Sequence, residues 1–328
     1  MTLINYAGGR FELLPDESVL ECLERAGHRI PSFCRAGVCQ SCVLRAQSGD
    51  VPAVAQRGLK ESWKQRGLFL SCVCQPDTEL HLTPAEVTAE FETRVVHVDR
   101  ASENVLRVLL QRPEGLRFEA GQYLQLIRPA DGLMRPYSIA SLPEDSTIEL
   151  HVALLAGGQM SQWLVGALGS AVRVVGPFGD CVYVAGEQER PLLLAGTGTG
   201  LAPLLGVLRA ALRAGHRGAI SLYHGAVNRA GLYCWNALTG LQRESSNLRL
   251  VGSVLREDGV GSVPPEHPSI IVRPLEELVL DAITTEQRLY LCGHPEFVQR
   301  LRKKVFLAGL PLSRIHADAF VAPAARPA

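Results

Sequence analysis

The chain has 328 residues, of which 47% are hydrophobic and 20% charged, and its 33 Lys and Arg residues balance its 33 Asp and Glu residues. This composition is typical of a globular protein with two or three domains. The charge balance lacks the basic surplus of nucleic-acid-binding proteins, so we expect no nucleic-acid partner. No stretch approaches the ~20 apolar residues that span a bilayer, and residues 1–9 do not resemble a signal peptide. We therefore expect a cytoplasmic protein without a membrane partner.

The sequence divides into three consecutive segments that differ in their residue patterns. Residues 1–86 contain a group of cysteines and end in a polar stretch. Residues 90–188 contain short alternating runs split by Gly and Pro, which predicts an antiparallel β-barrel. Residues 189–328 alternate apolar strand, helix and strand, which predicts a parallel α/β sheet. The main predicted elements are strands at Glu92–Val98, Val105–Leu110, Tyr123–Ile127, Ile148–Val152, Pro191–Ala195 and Ala219–Tyr223, and a helix at Ala202–Ala214.

Four of the nine cysteines have the spacing of an iron–sulfur ligand set. Cys34, Cys39 and Cys42 are separated by four and two residues, and Cys72 follows much later. This is the plant-type [2Fe–2S] spacing, in which each iron takes two sulfides and two cysteines. Structural zinc prefers two short Cys pairs, and only one such pair is present, so the spacing favours the cluster over zinc or over unligated core cysteines.

The identity of the fourth ligand has an alternative. Cys74 competes with Cys72, because residues i and i+2 share a face of a β-strand. The apolar residue Leu70 precedes Cys72, and Pro76 follows it by four residues, an order that resembles the ferredoxin pattern. We therefore choose Cys72. Cys22, in a helix-like segment, is interpreted as a packed thiol.

Residues 1 to about 84 as a whole resemble a plant-type ferredoxin domain. The resemblance implies a β-grasp fold for this part of the chain. The predicted fold class is thus multidomain α+β and α/β: a β-grasp ferredoxin domain, an antiparallel β-barrel and a parallel α/β domain. One departure is Gln40, where the family usually has Gly after the second cysteine; a side chain there could crowd the loop, but it removes no ligand.

Two short motifs in the second segment suit a flavin. In the first, Arg135 can pair with pyrophosphate as a planar fork, Tyr137 can stack on the isoalloxazine ring, and Ser138 can hydrogen-bond its N5 edge. In the second, a glycine-rich turn precedes a helix-like segment, Gln162–Leu168, and offers backbone N–H groups to a phosphate. Each motif alone is weak. The first also fits an exposed strand edge, and the second fits ordinary helix capping by Ser161.

Together and in this order, the two motifs resemble the FAD-binding barrel of the ferredoxin–NADP reductase superfamily. Residues 118–123 and 176–179 match further landmarks of that barrel. The resemblance implies bound FAD. FMN stays open because some relatives with a ferredoxin domain use it, although they usually carry that domain at the C-terminus. The implied flavin-binding residues are Arg135, Tyr137, Ser138, Gly158, Met160 and Ser161.

The third segment begins with a glycine-rich turn. Residues 196–203 read Gly-Thr-Gly-Thr-Gly-Leu-Ala-Pro between an apolar strand and a helix, the context that a phosphate-binding turn requires. It is not the Rossmann fingerprint, because Leu201 replaces the third Gly and no Asp or Glu ends the next strand. The form resembles the pyridine-nucleotide domain of the same superfamily. The implied nucleotide contacts are Gly196, Thr197, Gly198 and Gly200.

A second signature of that domain is Cys292-Gly293, at the end of an apolar strand. In the family this cysteine lies beside the nicotinamide C4 and the flavin N5, so the resemblance implies that Cys292 and Ser138 are catalytic and that Gly293 contacts the cofactor. Without that context, Cys292 would be read as a core cysteine. Phe320 matches the C-terminal aromatic that covers the flavin in many relatives, although eight residues follow it here.

The order of the three domains is similar to that of reductase components of bacterial multicomponent oxygenases. The resemblance implies an NAD(P)H-dependent iron–sulfur flavoprotein oxidoreductase. It would take a hydride from NADH onto FAD and pass single electrons through the cluster to a terminal oxygenase or another one-electron acceptor protein. A reductase partner of a deoxysugar dehydratase and a non-turning-over redox sensor stay open. NADPH also stays open, because residues 225–229 hold no carboxylate and Arg229 could pair with a 2′-phosphate.

Overall fold

The computed structural model describes residues 2–59, 61–85, 89–257 and 269–320. They form two compact units, Met1–Ala89 and Glu90–Phe320. The first contains one β-sheet and the second contains two, an arrangement that confirms the predicted fold class. The boundary predicted between residues 188 and 189 falls inside the second unit and stays a prediction. Among the described residues, no helix combines the length and the apolar character needed to cross a membrane.

The first unit is a five-stranded mixed sheet in the order β2-β1-β5-β3-β4, with helix α1 packed on it. Ser18 begins α1 with a capping box: its side chain accepts from the Glu21 N–H, and the Glu21 carboxylate accepts from the Ser18 N–H. The loop that carries the first three clustered cysteines leads directly into β3. The elements are β1 (Thr2–Tyr6), β2 (Gly9–Leu13), α1 (Val19–Arg25), β3 (Val43–Ser48), α2 (Glu61–Gln65), β4 (Leu68–Leu70) and β5 (Leu80–Pro84), with 3-10 helices at Ala53–Gln56 and Ser71–Val73.

The second unit begins with a six-stranded antiparallel barrel in the order β10-β7-β6-β11-β8-β9. A bridge between Ile139 and Leu150 joins the two ends of this order. Alternating apolar residues fill the interior, which is why the predicted strands lie close to the observed ones. Helix α3 begins three residues earlier than predicted. The elements are β6 (Ala89–Ser102), β7 (Val105–Gln111), β8 (Tyr123–Ile127), β9 (Met134–Ser138), β10 (Thr147–Ala153), α3 (Gln159–Leu164) and β11 (Ala171–Phe178).

The rest of the second unit is a six-stranded parallel sheet in the order β15-β14-β13-β12-β16-β17. The strand order changes direction between β12 and β16, and ligands of such sheets bind outside the carboxyl ends of the strands at that point. The elements are β12 (Leu192–Thr197), α4 (Leu201–Arg213), β13 (Ile220–Ala226), α5 (Trp235–Glu244), β14 (Leu248–Val254), β15 (Ile270–Val272), α6 (Leu275–Ala282), β16 (Arg288–Gly293), α7 (Pro295–Leu307) and β17 (Ile315–Ala319).

Candidate functional site

The loop from Cys34 to Cys42 donates backbone hydrogen bonds to one of its own sulfur atoms. The backbone N–H groups of Ala36 and Cys39 donate to Cys34 Sγ at 3.4 and 3.3 Å. Ser41 Oγ lies 3.0 Å from Cys39 Sγ. A hydrogen bond from the Cys39 thiol, together with the backbone donors, lowers the pKa of Cys34 to about 5. The loop therefore favours the thiolate, which is the form that ligates a metal.

The four predicted ligands form two pairs. The Cys34 thiol interacts with that of Cys39, and the Cys42 thiol interacts with that of Cys72. Among the described residues, no three His, Cys, Asp or Glu side chains are grouped as a metal-ion site requires. Two pairs of thiols fit a [2Fe–2S] cluster, in which each iron is held by two cysteines, better than they fit a single zinc ion.

Cys72 and Cys74 occupy different environments. Cys72 lies in the 3-10 helix Ser71–Val73 and interacts with Cys42. Cys74 is wholly buried in the apolar core beneath α1, and burial raises its pKa to about 12. The i and i+2 spacing predicted that both residues lie on one face of a strand, but this segment is a 3-10 turn and separates them. The geometry favours Cys72 as the ligand.

Gln40 has the backbone conformation that explains why glycine suits this position. Its φ is 56°, in the left-handed region, which costs a non-glycine residue roughly 1 kcal/mol. Its side chain is held by a residue outside the loop, because Nε2 donates to the Gly58 carbonyl at 3.2 Å. The possible crowding of the loop is therefore not observed.

The predicted flavin motif lies on β9, the last strand in the strand order of the barrel. Ser138 is opposite Tyr123 on β8 and is buried, whereas Tyr137 is half-buried and packs on the barrel core. Burial raises the pKa of Tyr137. Arg135 Nη1 donates to the Met134 carbonyl at 2.7 Å. Because side chains alternate along a strand, Arg135 and Tyr137 share one face and Ser138 lies on the other.

The second predicted flavin element is a turn that ends in α3. Ser161 does not cap this helix: it is the third helical residue, and its hydroxyl accepts from Leu155 N and donates to the Gly158 carbonyl, at 3.3 and 3.1 Å. Met160 is buried in the barrel core. Gly157, with φ of 73°, has no heavy atom within 4 Å of the position a Cβ would take. The turn therefore has room for a phosphate beside its backbone N–H groups, while the Ser161 hydroxyl supports the turn itself.

The glycine-rich turn and Cys292 meet at the carboxyl ends of β12 and β16. Gly196 is opposite Cys292 in the parallel register. A Cβ on Gly200 would lie 2.4 Å from the Cys292 carbonyl oxygen, and one on Gly293 would lie 2.5 Å from Thr197 Oγ1. Gly200 and Gly293 are thus required for the close approach of the two strand ends.

Gly198 differs from its neighbours in the turn. Its φ is 54°, and no heavy atom lies within 4 Å of the position a Cβ would take. It begins the 3-10 helix Gly198–Gly200, which continues directly into α4, so the N–H groups without helical partners are those at the start of this 3-10 turn. This open space at a helix start fits a nucleotide phosphate.

Cys292 lies in the hydrophobic core of the second unit. It is wholly buried, and its sulfur lies 3.4 Å from that of Cys181. Burial and the Cys181 thiol raise the pKa of Cys292, so the thiol is neutral at pH 7. Phe320 is held next to this strand end, because its N–H donates to the Gly293 carbonyl at 2.8 Å.

Two residues at this site were missed by sequence reasoning. Cys181 is 111 residues from Cys292, so no local spacing reveals the pair. Asp318 lies opposite Cys292 on β17, and burial and the charge of Asp180 raise its pKa to about 6. Asp318 had a signal: it is a single carboxyl in an otherwise small and apolar strand end, two residues before Phe320.

A buried polar network connects the barrel to the parallel sheet. Arg209 on α4 donates to Glu149 at 2.8 Å, Glu149 contacts His151 at 2.9 Å, and His151 contacts the Tyr233 hydroxyl at 3.0 Å. Burial raises the pKa of Glu149, but hydrogen bonds and the Arg209 charge outweigh it and lower the pKa to about 2. The edge of Tyr233 packs on His224, which lies beside the glycine-rich turn.

Helix α4 also approaches the barrel backbone. A Cβ on Gly206 would lie 2.7 Å from the Ile139 carbonyl, and Arg209 donates to the Ala140 carbonyl at 2.8 Å. Ile139 and Ala140 directly follow the flavin motif on β9. The helix that begins at the nucleotide turn is therefore attached to the strand that carries Tyr137 and Ser138. The sequence alone treated the histidines of this region as isolated residues and gave no sign of this attachment.

Comparison with known proteins agrees with this architecture. Three family models match in the predicted order: a 2Fe-2S iron-sulfur cluster binding domain at residues 4–77, an oxidoreductase FAD-binding domain at 92–183 and an oxidoreductase NAD-binding domain at 194–303. The class of protein is thus an oxidoreductase with a [2Fe–2S] cluster, FAD and a nicotinamide cofactor, as the sequence predicted.

Relatives that match along their whole length define the family. The reductase subunit of an aromatic O-demethylase from an Amycolatopsis species is 32% identical over 97% of this chain and 98% of its own. The reductase component of the naphthalene 1,2-dioxygenase/salicylate 5-hydroxylase systems of a Ralstonia species is 30% identical over 92% and 93%. A crystal structure of a cytochrome P450 reductase from Amycolatopsis is 29% identical, with a TM-score of 0.70 over 99% of this chain and 100% of that one.

The chain belongs to this family of NAD(P)H-dependent iron–sulfur flavoprotein reductases, within the ferredoxin–NADP reductase superfamily. Its function is electron transfer from NAD(P)H through FAD and a [2Fe–2S] cluster to an acceptor.

Proposed function

We propose that this protein is the reductase component of an oxygenase system, with NADH as its electron donor and a terminal oxygenase as its acceptor. The observation that carries the proposal is that one chain holds both a set of four thiols in two pairs and a separate site where the nucleotide turn meets Cys292. The first suits one-electron transfer and the second suits hydride transfer. The named relatives are reductases of oxygenase or demethylase systems, which supports an oxygenase as the partner.

The proposed roles of the residues follow from their positions. FAD accepts the hydride as an electron pair, and the cluster passes on one electron at a time. Cys292 offers a small neutral thiol at the end of β16, packed beside Cys181 in the core, where a flat ring would have a close neighbour. Tyr137 would orient the flavin by stacking, and Ser138 would hold its N5 edge. Gly198 and the N–H groups of the 3-10 turn that it begins would hold the nucleotide phosphates.

NADH rather than NADPH is supported by the surroundings of Arg229. Its side chain is only 11% exposed and lies 3.9 Å from the carboxylate of Glu257. A guanidinium in that position is poorly placed to receive a 2′-phosphate, and Glu257 would repel one. The cytoplasmic location is supported by the lack of a disulfide bond at any of the nine cysteines, all of which lie in the described part of the chain, since this suits a reducing compartment.

Stopped-flow reduction of the bound flavin by NADH tests the proposed hydride site. We expect Cys292→Ala to slow flavin reduction about tenfold or more, because the ring loses a close-packed neighbour and its orientation loosens. Electron transfer from photochemically reduced flavin to the cluster should be unchanged. Cys234→Ala, which removes a half-buried thiol elsewhere in the second unit, is the matched control and should behave as wild type. Unaltered flavin reduction in Cys292→Ala would show that this residue is not at the reacting centre.

A further inference from the structure

Charge is distributed unevenly in the cysteine-bearing unit. Residues 34–73, which contain all four proposed cluster ligands, include six Lys or Arg and two Asp or Glu. Residues 1–33 and 74–86 include three Lys or Arg and eight Asp or Glu. The part of the unit that holds the cluster ligands is therefore basic and the remainder acidic, although the whole chain is neutral.

Two of these basic residues are exposed and have no acidic partner among the described residues. Arg57 follows the 3-10 helix Ala53–Gln56, and Arg66 follows α2. By contrast, Arg10 on β2, at the opposite edge of the sheet, pairs with Glu79. A cation that is not neutralised within its own unit is available to an anionic partner.

Arg57 and α2 are joined to the proposed cluster ligands. Gln40, in the cluster loop, donates to the carbonyl of Gly58, the neighbour of Arg57, at 3.2 Å. The segment that begins α2 packs on the ligands through its apolar side chains. The residues of that apolar group are Leu59, Trp63, Cys42 and Cys72. Arg57 therefore adjoins Gly58, which contacts the cluster loop, and Arg66 follows Trp63, which packs with the ligands, by three residues.

Exposed apolar side chains lie in the cluster loop and in the segment that precedes Arg57. Ala36 and Val38 are exposed in the loop itself, Val38 by 47%. Val54, on the 3-10 helix that precedes Arg57, is also 47% exposed. Apolar contacts bordered by charged residues are the usual composition of a transient protein–protein interface.

We infer that Ala36, Val38, Val54, Arg57 and Arg66 form a docking face for the electron acceptor, and that the acceptor presents carboxylates to it. The inference rests on the proposed function, because it assumes that the acceptor is a protein. The apolar centre excludes water near the cluster, while the two guanidinium groups attract and orient an acidic surface. An acceptor with a basic surface would be disfavoured by the same charges.

The test uses two acceptor proteins that differ in net charge and carry the same haem group. Native cytochrome c is cationic, and succinylated cytochrome c is anionic. With the holoenzyme and NADH at low ionic strength, we expect faster reduction of the succinylated form, and we expect added salt to slow that reaction. Arg57→Glu/Arg66→Glu should slow reduction of the succinylated form about tenfold and speed that of the native form. Surface plasmon resonance with both proteins oxidised should show weaker binding of the double variant to succinylated cytochrome c.

Arg10→Glu is the matched control for the single variant Arg57→Glu, since it makes the same change in charge at the opposite edge of the sheet. It should leave both cytochrome rates near those of wild type. An effect equal to that of a docking-face variant would mean that only net charge matters, and the inference would be wrong. The inference would also fail if native cytochrome c is the preferred acceptor, or if the double variant slows flavin-to-cluster transfer within the chain. Failure of the proposed function looks different: wild-type protein would reduce neither cytochrome with NADH.

Discussion

The cluster loop and the nucleotide site are built in opposite ways. Three of the four proposed cluster ligands lie between Cys34 and Cys42, and the loop's own N–H groups donate to their sulfur atoms. The nucleotide site gathers groups from β12, β16, β17 and the turn at Cys181, which meet only after the parallel sheet has formed. The geometry of the cluster loop therefore depends on residues that are close in sequence. The geometry of the nucleotide site depends on how closely segments that are distant in sequence approach one another.

This difference determines how each region should respond to mutation. In the cluster loop, loss of one thiol removes a ligand that no neighbour can replace. At the nucleotide site no single donor dominates, but one added methyl group can separate two strand ends. Substitution of a ligand should thus abolish the cluster, whereas substitution of a glycine should displace the strand ends and lower the rate at the nucleotide site.

The largest effect is expected at Cys72. Cys72→Ala should abolish the cluster, because an iron cannot keep its tetrahedral coordination with one cysteine missing. Iron and acid-labile sulfide content should fall below about a tenth of the wild-type values, and the reduced protein should lose its iron–sulfur EPR signal. FAD should stay bound, since its predicted residues belong to the second unit.

Cys74→Ala separates this explanation from the alternative ligand. Cys74 is a core residue in the structure, so its replacement should cost about 1–2 kcal/mol of stability and leave the EPR signal intact. Retention of the cluster in Cys72→Ala and its loss in Cys74→Ala would reverse the assignment.

The next largest effect is expected at Gly200. A Cβ there would lie 2.4 Å from the Cys292 carbonyl oxygen, so Gly200→Ala must displace the end of β16. Displacement of a reacting group by about 1 Å can lower a rate about 100-fold, and we expect NADH-dependent flavin reduction to fall by that order. Stopped-flow spectroscopy measures this rate, while iron content should be unchanged.

Gly240→Ala provides the control for a glycine that has no close neighbour. Gly240 lies on α5, and no heavy atom lies within 4 Å of the position a Cβ would take. This change should leave flavin reduction unaltered and change the free energy of unfolding by less than about 1 kcal/mol. Equal rates for Gly200→Ala and wild type would show that the contact between the strand ends is not needed for hydride transfer.

The sequence predicted more of the cluster site than of the nucleotide site for the same reason. Cysteine spacing reports directly on a local loop, and alternating apolar residues report on strands such as Tyr123–Ile127. The contact of Cys181 with Cys292 and the attachment of Arg209 to Ala140 join distant parts of the chain, and no periodicity encodes them. Helix capping by Ser161, the alternative to its predicted flavin-binding role, is not observed, because helix α3 begins earlier than its pattern indicated.

A smaller effect should come from Asp318, which belongs to the nucleotide site and has no counterpart in the cluster loop. Its pKa is raised to about 6, above the value of about 3.9 expected in the unfolded chain. Its contribution to stability is therefore fully present below about pH 4 and is lost as the pH rises through 6. The loss is at most about 3 kcal/mol, and less because solvent reaches part of the residue.

Urea unfolding of the holoprotein between pH 5 and 7.5 measures this contribution. Asp318→Asn should be more stable than wild type at pH 7.5 and should show a weaker pH dependence over that range. Asp281→Asn, an exposed carboxyl that pairs with Arg273, should follow the wild-type curve. If the free energy of unfolding changes with pH by the same amount in Asp318→Asn and in wild type, the ionised carboxyl is not destabilised by burial.

The smallest effect is expected at Arg229, where the nucleotide site borders the surface. We expect NADH to have the higher kcat/KM with a dye acceptor. Since Arg229 already lies near Glu257, removing it should change the NADH-to-NADPH ratio only slightly. An ion pair with an exposed partner is worth about 0–1 kcal/mol, which limits the change in Arg229→Ala to about fivefold. Glu257→Gln should raise NADPH use by a similar factor, because it removes a negative charge that would repel the 2′-phosphate. A clear NADPH preference in the wild type that collapses in Arg229→Ala would mean that Arg229 binds the 2′-phosphate in spite of Glu257, and the proposed NADH preference would be wrong.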